Sequence, residues 1–538
     1  MNPELTLEEF PPVSTAQWDD VVRADLKGAS PKARLFYRAE DLRGLEYLEA
    51  APGAFPYTRG TRTDNDWRIC QPVNSLAEAQ AALDAGADEI RFRLGDADMQ
   101  AILDALPPCP VHFEAGGRVP ELLRALIGRD VRGSADFAPL ADFDHAGQLL
   151  RAVRSPGFKP VTVGAHRFSE TGATAVQELA FALAEGVEIL DHIPDAAPAL
   201  AFSFAIGPSY FLEIARLRAA RTLWARVVES FGLDAQAAGM TVHARTAHWT
   251  GSVYDAHVNL LRATTEAMAA AIGGADSIQV EPFDSAYQAP AETSVRLARN
   301  TQLILKREAL LDRSVDAAGG SYYLEALTDS VARETWTLLQ QIEAAGGFRK
   351  YSESGALAQA IARSRADRDT AAATRRLTIV GTNQYPNPAE RMLPHLARPD
   401  AAPRPARIFE EIRLRSERRG APRLLLLEAG DLKMRKARSG FMANLFGCGG
   451  FELKISDTLA GDFDAVVLCS SDAEYAALAP RVIQQLRAAG KNTPVIVAGN
   501  PADSLEALRQ AGVADFVHIR SNAAAVLRTW QERLGVSD

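Results

Sequence analysis

Between residues 67 and 283 short apolar runs recur at regular intervals and alternate with stretches of helical periodicity. Eight strand candidates stand out, at 67–71, 89–94, 110–114, 130–137, 160–166, 201–207, 240–246 and 277–283. Amphipathic segments at 76–85, 173–185, 208–230 and 256–271 lie between them. Strands separated by helices return to the same end of a sheet, so they pair in parallel. Eight such units predict an α/β fold, a (β/α)₈ barrel, with any site at the carboxyl ends of its strands. Further helical stretches at 291–306 and 328–344 close the unit.

A Pro-, Arg- and Ala-rich stretch, 365–423, then crosses to a second series. Its apolar strands are expected at 424–428, 451–455, 465–469, 494–498 and 515–519. Helices from Phe441, at 473–489 and at 504–511 separate them, a pattern that predicts a doubly wound parallel sheet. The charged loop 430–440 after the first strand is where a ligand should meet this sheet. The Arg/Glu-rich segment 406–419 reads as a solvated helix face. Ahead of the barrel, 15–26 places Trp18, Val21, Val22 and Leu26 on one side of a helix. The organisation expected is an arm at 1–60, a barrel at 61–365, a linker at 366–421 and a second domain at 422–538.

Alternation along the barrel strands sets a further expectation. Ile90, Phe92 and Leu94 suit the helix side, which turns Arg91 and Arg93 to the axis. By the same rule His112 and Glu114, His243 and Arg245, and Gln279 and Glu281 point inward. Barrel interiors are ordinarily filled by Val, Ile and Leu. Buried charges are tolerated only when paired. Arg91, Arg93 and Arg245 are therefore expected to pair with Glu114 and Glu281.

Composition narrows the function. A net charge of −9 disfavours a nucleic-acid partner. Cys70, Cys109, Cys448 and Cys469 have no metal or disulfide spacing and suit a reducing cytoplasm. The start lacks a signal-like apolar core, and no apolar run approaches a membrane span, so a cytoplasmic location is expected. His243 and His248, five apart near a strand end, read as structural histidines. Gly447-Cys448-Gly449-Gly450 follows a helix and reads as its C-cap rather than a phosphate loop.

Several longer strings carry a resemblance. Residues 172–180, 211–224 and 298–303, Gly319-Gly-Ser-Tyr322 and Gly381-x-Asn-x-Tyr385 all resemble the methylmalonyl-CoA mutase family. The resemblance implies a TIM barrel followed by a flavodoxin-like, cobalamin-binding-type domain, and the adenosylcobalamin-dependent isomerisation of (R)-methylmalonyl-CoA and succinyl-CoA. In that family the loop after the first strand of the second domain carries Asp-x-His-x-x-Gly, whose histidine ligates cobalt. Anchored on Gly440, the aspartate position is held by Arg435 and the histidine position by Ala437. Alanine has no lone pair for a metal. The family's Ser-x-Leu and Gly-Gly cobalamin contacts fall at Ser470-Ser471-Asp472 and Gly499-Asn500. Its substrate tyrosine falls at Pro72 and its Tyr-His pair at His166-Arg167. The segment supplying a substrate-binding Gln and Arg shrinks to 128–134, with no counterpart for either.

These departures coincide at cobalt, at the cobalamin pocket and at the substrate. They imply the small, non-catalytic chain of a heterodimeric mutase, with adenosylcobalamin and acyl-CoA held by the large subunit. The arm, with Phe10 and Trp18, is similar to that chain's opening, which wraps the large subunit. No catalytic, cofactor or metal residue is expected here. The network of Arg91, Arg93, Glu114, Arg245 and Glu281 would plug the axis along which catalytic members thread pantetheine. The alternatives are a self-sufficient acyl-CoA mutase with atypical cobalamin binding, and a cofactor-free CoA-binding barrel.

Overall fold

The structure, a computed structural model, describes residues 14–28, 36–39, 42–46, 64–136, 143–153, 157–234, 239–397 and 402–536. Phe10 lies outside the described residues. Nine parallel segments form one sheet that curls nearly closed. They are Arg68–Val73, Glu89–Arg93, Val111–Glu114, Gly133–Ala135, Phe158–Lys159, Val161–Val163, Leu200–Ile206, Thr241–Thr246 and Ser277–Gln279. The two segments at the ends of the pairing order are neighbours in sequence, divided at Pro160. Phe158 pairs with Gly133 and Val161 with Leu200. Proline has no N–H to give a ladder, so one strand candidate becomes two pieces that pair in opposite directions. Gly133 has φ +119°, and a Cβ there would stand 2.1 Å from the Val111 oxygen, so the approach of these strands needs glycine.

Alternation sends Ile90, Phe92, Val111, Phe113, Val242, Ala244 and Ile278 outward, all fully buried against the helices. Each such side chain contributes about 1.5–3 kcal/mol when removed from water. The main covering helices are Ala175–His192, Tyr210–Ser230, Val258–Ile272 and Tyr322–Ala344. Thr174 caps the first of these in a reciprocal pair with Gln177. Tyr210–Ser230 buries Arg216 between Glu178 and Glu213, and Arg218 against Asp316 and Glu325.

Helix Arg407–Arg419 leads to the second domain, and it is not a solvated face. Phe409 and Ile412 are buried in the second domain's core, and Glu410 and Arg413 are buried with them. Glu410 accepts from the Val253 N–H at 2.7 Å, and Arg413 stacks over the Tyr254 ring at 4.0 Å. The helix thus fastens the loop after the seventh barrel strand position to the second sheet. That sheet holds Arg423–Glu428, Glu452–Ser456, Ala465–Cys469, Val495–Ala498 and Val513–Val517, all parallel. Numbered by sequence within the domain, the order is 2-1-3-4-5, a doubly wound arrangement. Beyond the exposed Arg423 its central strands are buried, because helices cover both faces.

The expected loop 430–440 is not a loop. A helix runs over Leu432–Gly447, nine residues earlier than expected, with the Asp431 side chain accepting from Met434 N at 2.8 Å. The physical reason lies in the sequence. Leu432-Lys-Met-Arg-Lys-Ala-Arg438 are strong helix formers behind a good N-cap, with no proline or glycine before Gly440. The helix ends at Gly447 with Cys448 as its C-cap, and Gly450 follows at φ +73°. The Cys448 thiol is buried, which pushes it up to about 12.

Candidate functional site

Parallel sheets gather chemistry at the carboxyl ends of their strands, and this chain has two such places. In the barrel, register sets Arg91 beside His112, Arg93 beside Glu114, His112 beside Ser134 and Arg245 beside Gln279. Glu114 gathers the three arginines. Its carboxylate lies 3.1 Å from Arg91 Nη1, 3.3 Å from Arg93 Nε and 4.0 Å from Arg245 Nη1. Glu281 reaches the His248 ring, 3.4 Å away, and its backbone N–H donates to Thr246 Oγ1. The strand Ser277–Gln279 ends before residue 281, and the carboxylate attracts Arg245 from a distance without forming an ion pair with it.

Two groups unforeseen in the sequence complete this layer. Asp136 Oδ2 stands 3.6 Å from Arg91, and Arg245 Nη1 donates to His166 Nε2 at 3.0 Å. Burial would raise the Asp136 carboxyl, but His112 and Arg91 outweigh it and hold it well below the usual range. Burial also raises Glu114, and the Arg91 and Arg245 guanidiniums bring it below its ordinary value. Burial, then Arg245 and Arg91, hold His166 neutral. Asp136 continues the alternation that turns Ser134 inward, so the periodicity could have found it. His166 sits in a short helix, His166–Thr171, where strand alternation gives no guidance.

Below this layer a chain of hydrogen bonds descends the axis. His112 Nε2 meets Asp136 Oδ1 at 2.9 Å and His112 Nδ1 meets Ser134 Oγ. Ser134 Oγ meets His243 Nε2 at 3.1 Å, and His243 Nδ1 meets Ser277 Oγ at 2.9 Å. Ser277 Oγ donates to Glu89 Oε1 at 2.8 Å, and Glu89 Oε2 accepts from Arg68 Nε at 2.6 Å. Burial pushes His243 down to about 3. Burial would raise Glu89, yet Arg68 and His243 hold it at about 2. Paired and hydrogen-bonded, these groups form a continuous polar column along the axis.

At the second domain's switch point the crevice is occupied by the chain itself. Glu474 accepts from Ser470 Oγ at 2.6 Å, Ser471 Oγ at 2.7 Å and the Asp431 N–H at 3.1 Å, and these bonds hold it at about 2. Arg438 spans to Asp472 at 3.0 Å and to the Ala498 oxygen at 2.8 Å. Tyr475 donates to that same oxygen at 2.7 Å. A Cβ on Gly499 would fall within 2.7 Å of both Asp472 and Arg438. Arg435 and Ala437 ride on the helix Leu432–Gly447.

The model of the family described as methylmalonyl-CoA mutase matches residues 132–429. The methylmalonyl-CoA mutase small subunit of Porphyromonas gingivalis is 36% identical, with 99% of each chain covered. The chain belongs to the methylmalonyl-CoA mutase family. The protein of that name from Streptomyces virginiae is 33% identical over 98% of each chain. The methylmalonyl-CoA mutase of Escherichia coli is 30% identical, covering 68% of this chain and 61% of its own. Membership makes the chain kin to isomerases, so each departure at the strand ends bears on what it can still do. None of the helices described is long and apolar enough to cross a membrane.

Proposed function

We propose that this chain is the small, non-catalytic subunit of a heterodimeric methylmalonyl-CoA mutase, stabilising a large subunit that holds adenosylcobalamin and substrate. The observation that carries the reading is Ala437. The family's cobalt-ligating position holds a methyl group on a capped, regular helix, and Arg435 stands where an aspartate would orient the imidazole. The crevice that would take the cofactor's tail is filled by Glu474, Arg438 and Asp472, so the residues present do not fit cobalamin. Full-length similarity to relatives named small subunit supports the same reading.

The barrel interior adds support. Its axis is closed by Arg91, Glu114 and Arg245 over the His112–His243 column, which leaves no path for a pantetheine arm. The arm supports a partner. Helix Thr15–Asp25 carries Ser14 and Gln17 in a capping box, while Trp18 is 40% and Val21 61% exposed. An aromatic face left open at this level suits an interface anchor.

The test is spectroscopic and enzymatic. The purified chain mixed with adenosylcobalamin should give no histidine-bound, base-off spectrum, and Ala437→His should not create one. Co-expression with a large chain bearing an intact Asp-x-His-x-x-Gly should yield a complex with mutase activity that the chain alone lacks. A histidine-ligated cobalt signal or turnover from the wild-type chain alone would sink the proposal. Calorimetric titration with pantetheine reads the axis separately, since saturable binding means the column is not a plug.

A further inference from the structure

Above the column the barrel mouth opens into a cleft of about 750 Å³. That is room for a small molecule. Its lining contains polar groups that lack partners. Gln279, 4% exposed, and Gln302, 1% exposed, each leave Oε1 buried without a hydrogen bond, and Arg299 leaves Nε in the same state. Native interiors leave few such atoms, and three of them gathered along one cleft call for an explanation.

The charges along the cleft sharpen the chemistry. Arg296 and Arg299 are one turn apart on helix Glu292–Leu303 and both line the cleft. Among the described residues neither guanidinium has an ion pair, and the one group Arg299 reaches is the neutral Gln71 Oε1, at 2.6 Å. Burial and then the charge of Arg296 press Arg299 below its ordinary value, so the two cations repel across the wall. Of the carboxylates lining the cleft, Glu114 takes three arginines, Glu281 takes His248 and Glu78 accepts from the Asn74 N–H at 2.8 Å, while the exposed Glu292, one turn before Arg296, makes no ion pair with it.

We infer that this cleft binds a compact oxyanion, the phosphate or carboxylate group of a small molecule, held by Arg296 and Arg299 over Gln279 and Gln302. Guanidinium forks match the spacing of two oxygens on such a group. Half a turn of either amide presents its NH₂ to the same space, so both glutamines can donate to the anion. The ligand is small because the axis beneath is closed. Nothing in this inference depends on the chain being a small subunit.

Calorimetric titration of the full chain with inorganic phosphate and with malonate, at low and equal ionic strength, is the test. At least one anion should bind saturably at one site, and the preferred one identifies the chemical source. Arg299→Gln should weaken that binding by about tenfold, the size of one charged hydrogen bond. Arg296→Gln, at an exposed position that leaves the fold alone, should weaken it in the same direction with an unchanged melting temperature. Absence of saturable binding by both anions overturns the inference, and so does binding that neither substitution alters.

Discussion

The two strand-end surfaces of this chain have the same architecture and opposite contents. The barrel keeps an open cleft at its mouth and fills the axis beneath with Arg, His and Glu. The second domain keeps its central strands apolar and fills the mouth itself, with Glu474, Arg438 and Asp472 bonded across the switch point. A parallel sheet presents polar strand ends in either case, and those ends must be satisfied by a ligand or by the chain. In the barrel the chain satisfies the interior and leaves the rim incomplete. In the second domain it satisfies the rim. Strand ends can therefore stand without a ligand wherever the protein's own side chains satisfy them.

The largest way to break the comparison is Glu114→Leu. The buried Arg91, with Arg245 beside it and the exposed Arg93 at the rim, would lose a shared carboxylate, at a cost of about 3–5 kcal/mol carried chiefly by Arg91, and urea denaturation should show it. Stability within 1 kcal/mol of wild type, by the same order-of-magnitude reasoning, would mean that the network is not what holds the axis.

Acid comes next and attacks the barrel first. His243 is held at about 3 and Glu89 at about 2, both below their usual values near 6.5 and 4.5. The unfolded chain takes up these protons at higher pH than the folded one. The stability they contribute is complete above about 6.5 and 4.5 and drains away as pH falls toward 3 and 2. Melting temperature against pH should fall through that window, and His243→Gln should flatten its upper part.

A smaller effect is expected from Gly430→Ala. Gly430 has φ +71°, and its Cβ would meet the restrained Glu474 carboxylate at 2.4 Å. A loss of about 1–2 kcal/mol, seen as a shifted denaturation midpoint, measures how firmly the filled crevice is packed. The smallest belongs to the arm. Trp18→Ala should leave the chain's own stability within about 0.5 kcal/mol while weakening co-purification with a large chain. A large drop in the isolated chain would make the helix a cap on this chain's own core.

Much of this was legible in the residue pattern. Both parallel sheets follow from apolar runs separated by helical stretches, and strand alternation placed Arg91, Arg93, Glu114 and Arg245 in one layer. Glu281 reaches His248 instead of forming an ion pair with the arginines because alternation holds only while the strand lasts, and this one stops at Gln279. The early start of the helix at Leu432 was hidden by the loop expected of the family, although its helix formers and the Asp431 cap were in plain sight. Residues 406–419 read as solvated because charge was counted rather than position, whereas Phe409, Ile412 and Ser416 recur at helical spacing and are buried. Arg296 and Arg299 could not be read at all. That they line one cleft with Gln279 depends on how a helix closes over a barrel mouth, which no local pattern encodes.

The column on the barrel axis also has a proton count. From Asp136 through His112, Ser134, His243 and Ser277 to Glu89 there are five hydrogen bonds, each needing one hydrogen. Both ends are ionised carboxylates, which supply none. Two hydroxyls and two neutral imidazoles supply four. Four hydrogens for five contacts leave one link of the column as an approach of two lone pairs, a weak joint that its neighbours hold closed. Ser134→Ala removes the hydroxyl shared by the two rings at the middle of the column, and thermal denaturation reads what that joint contributes.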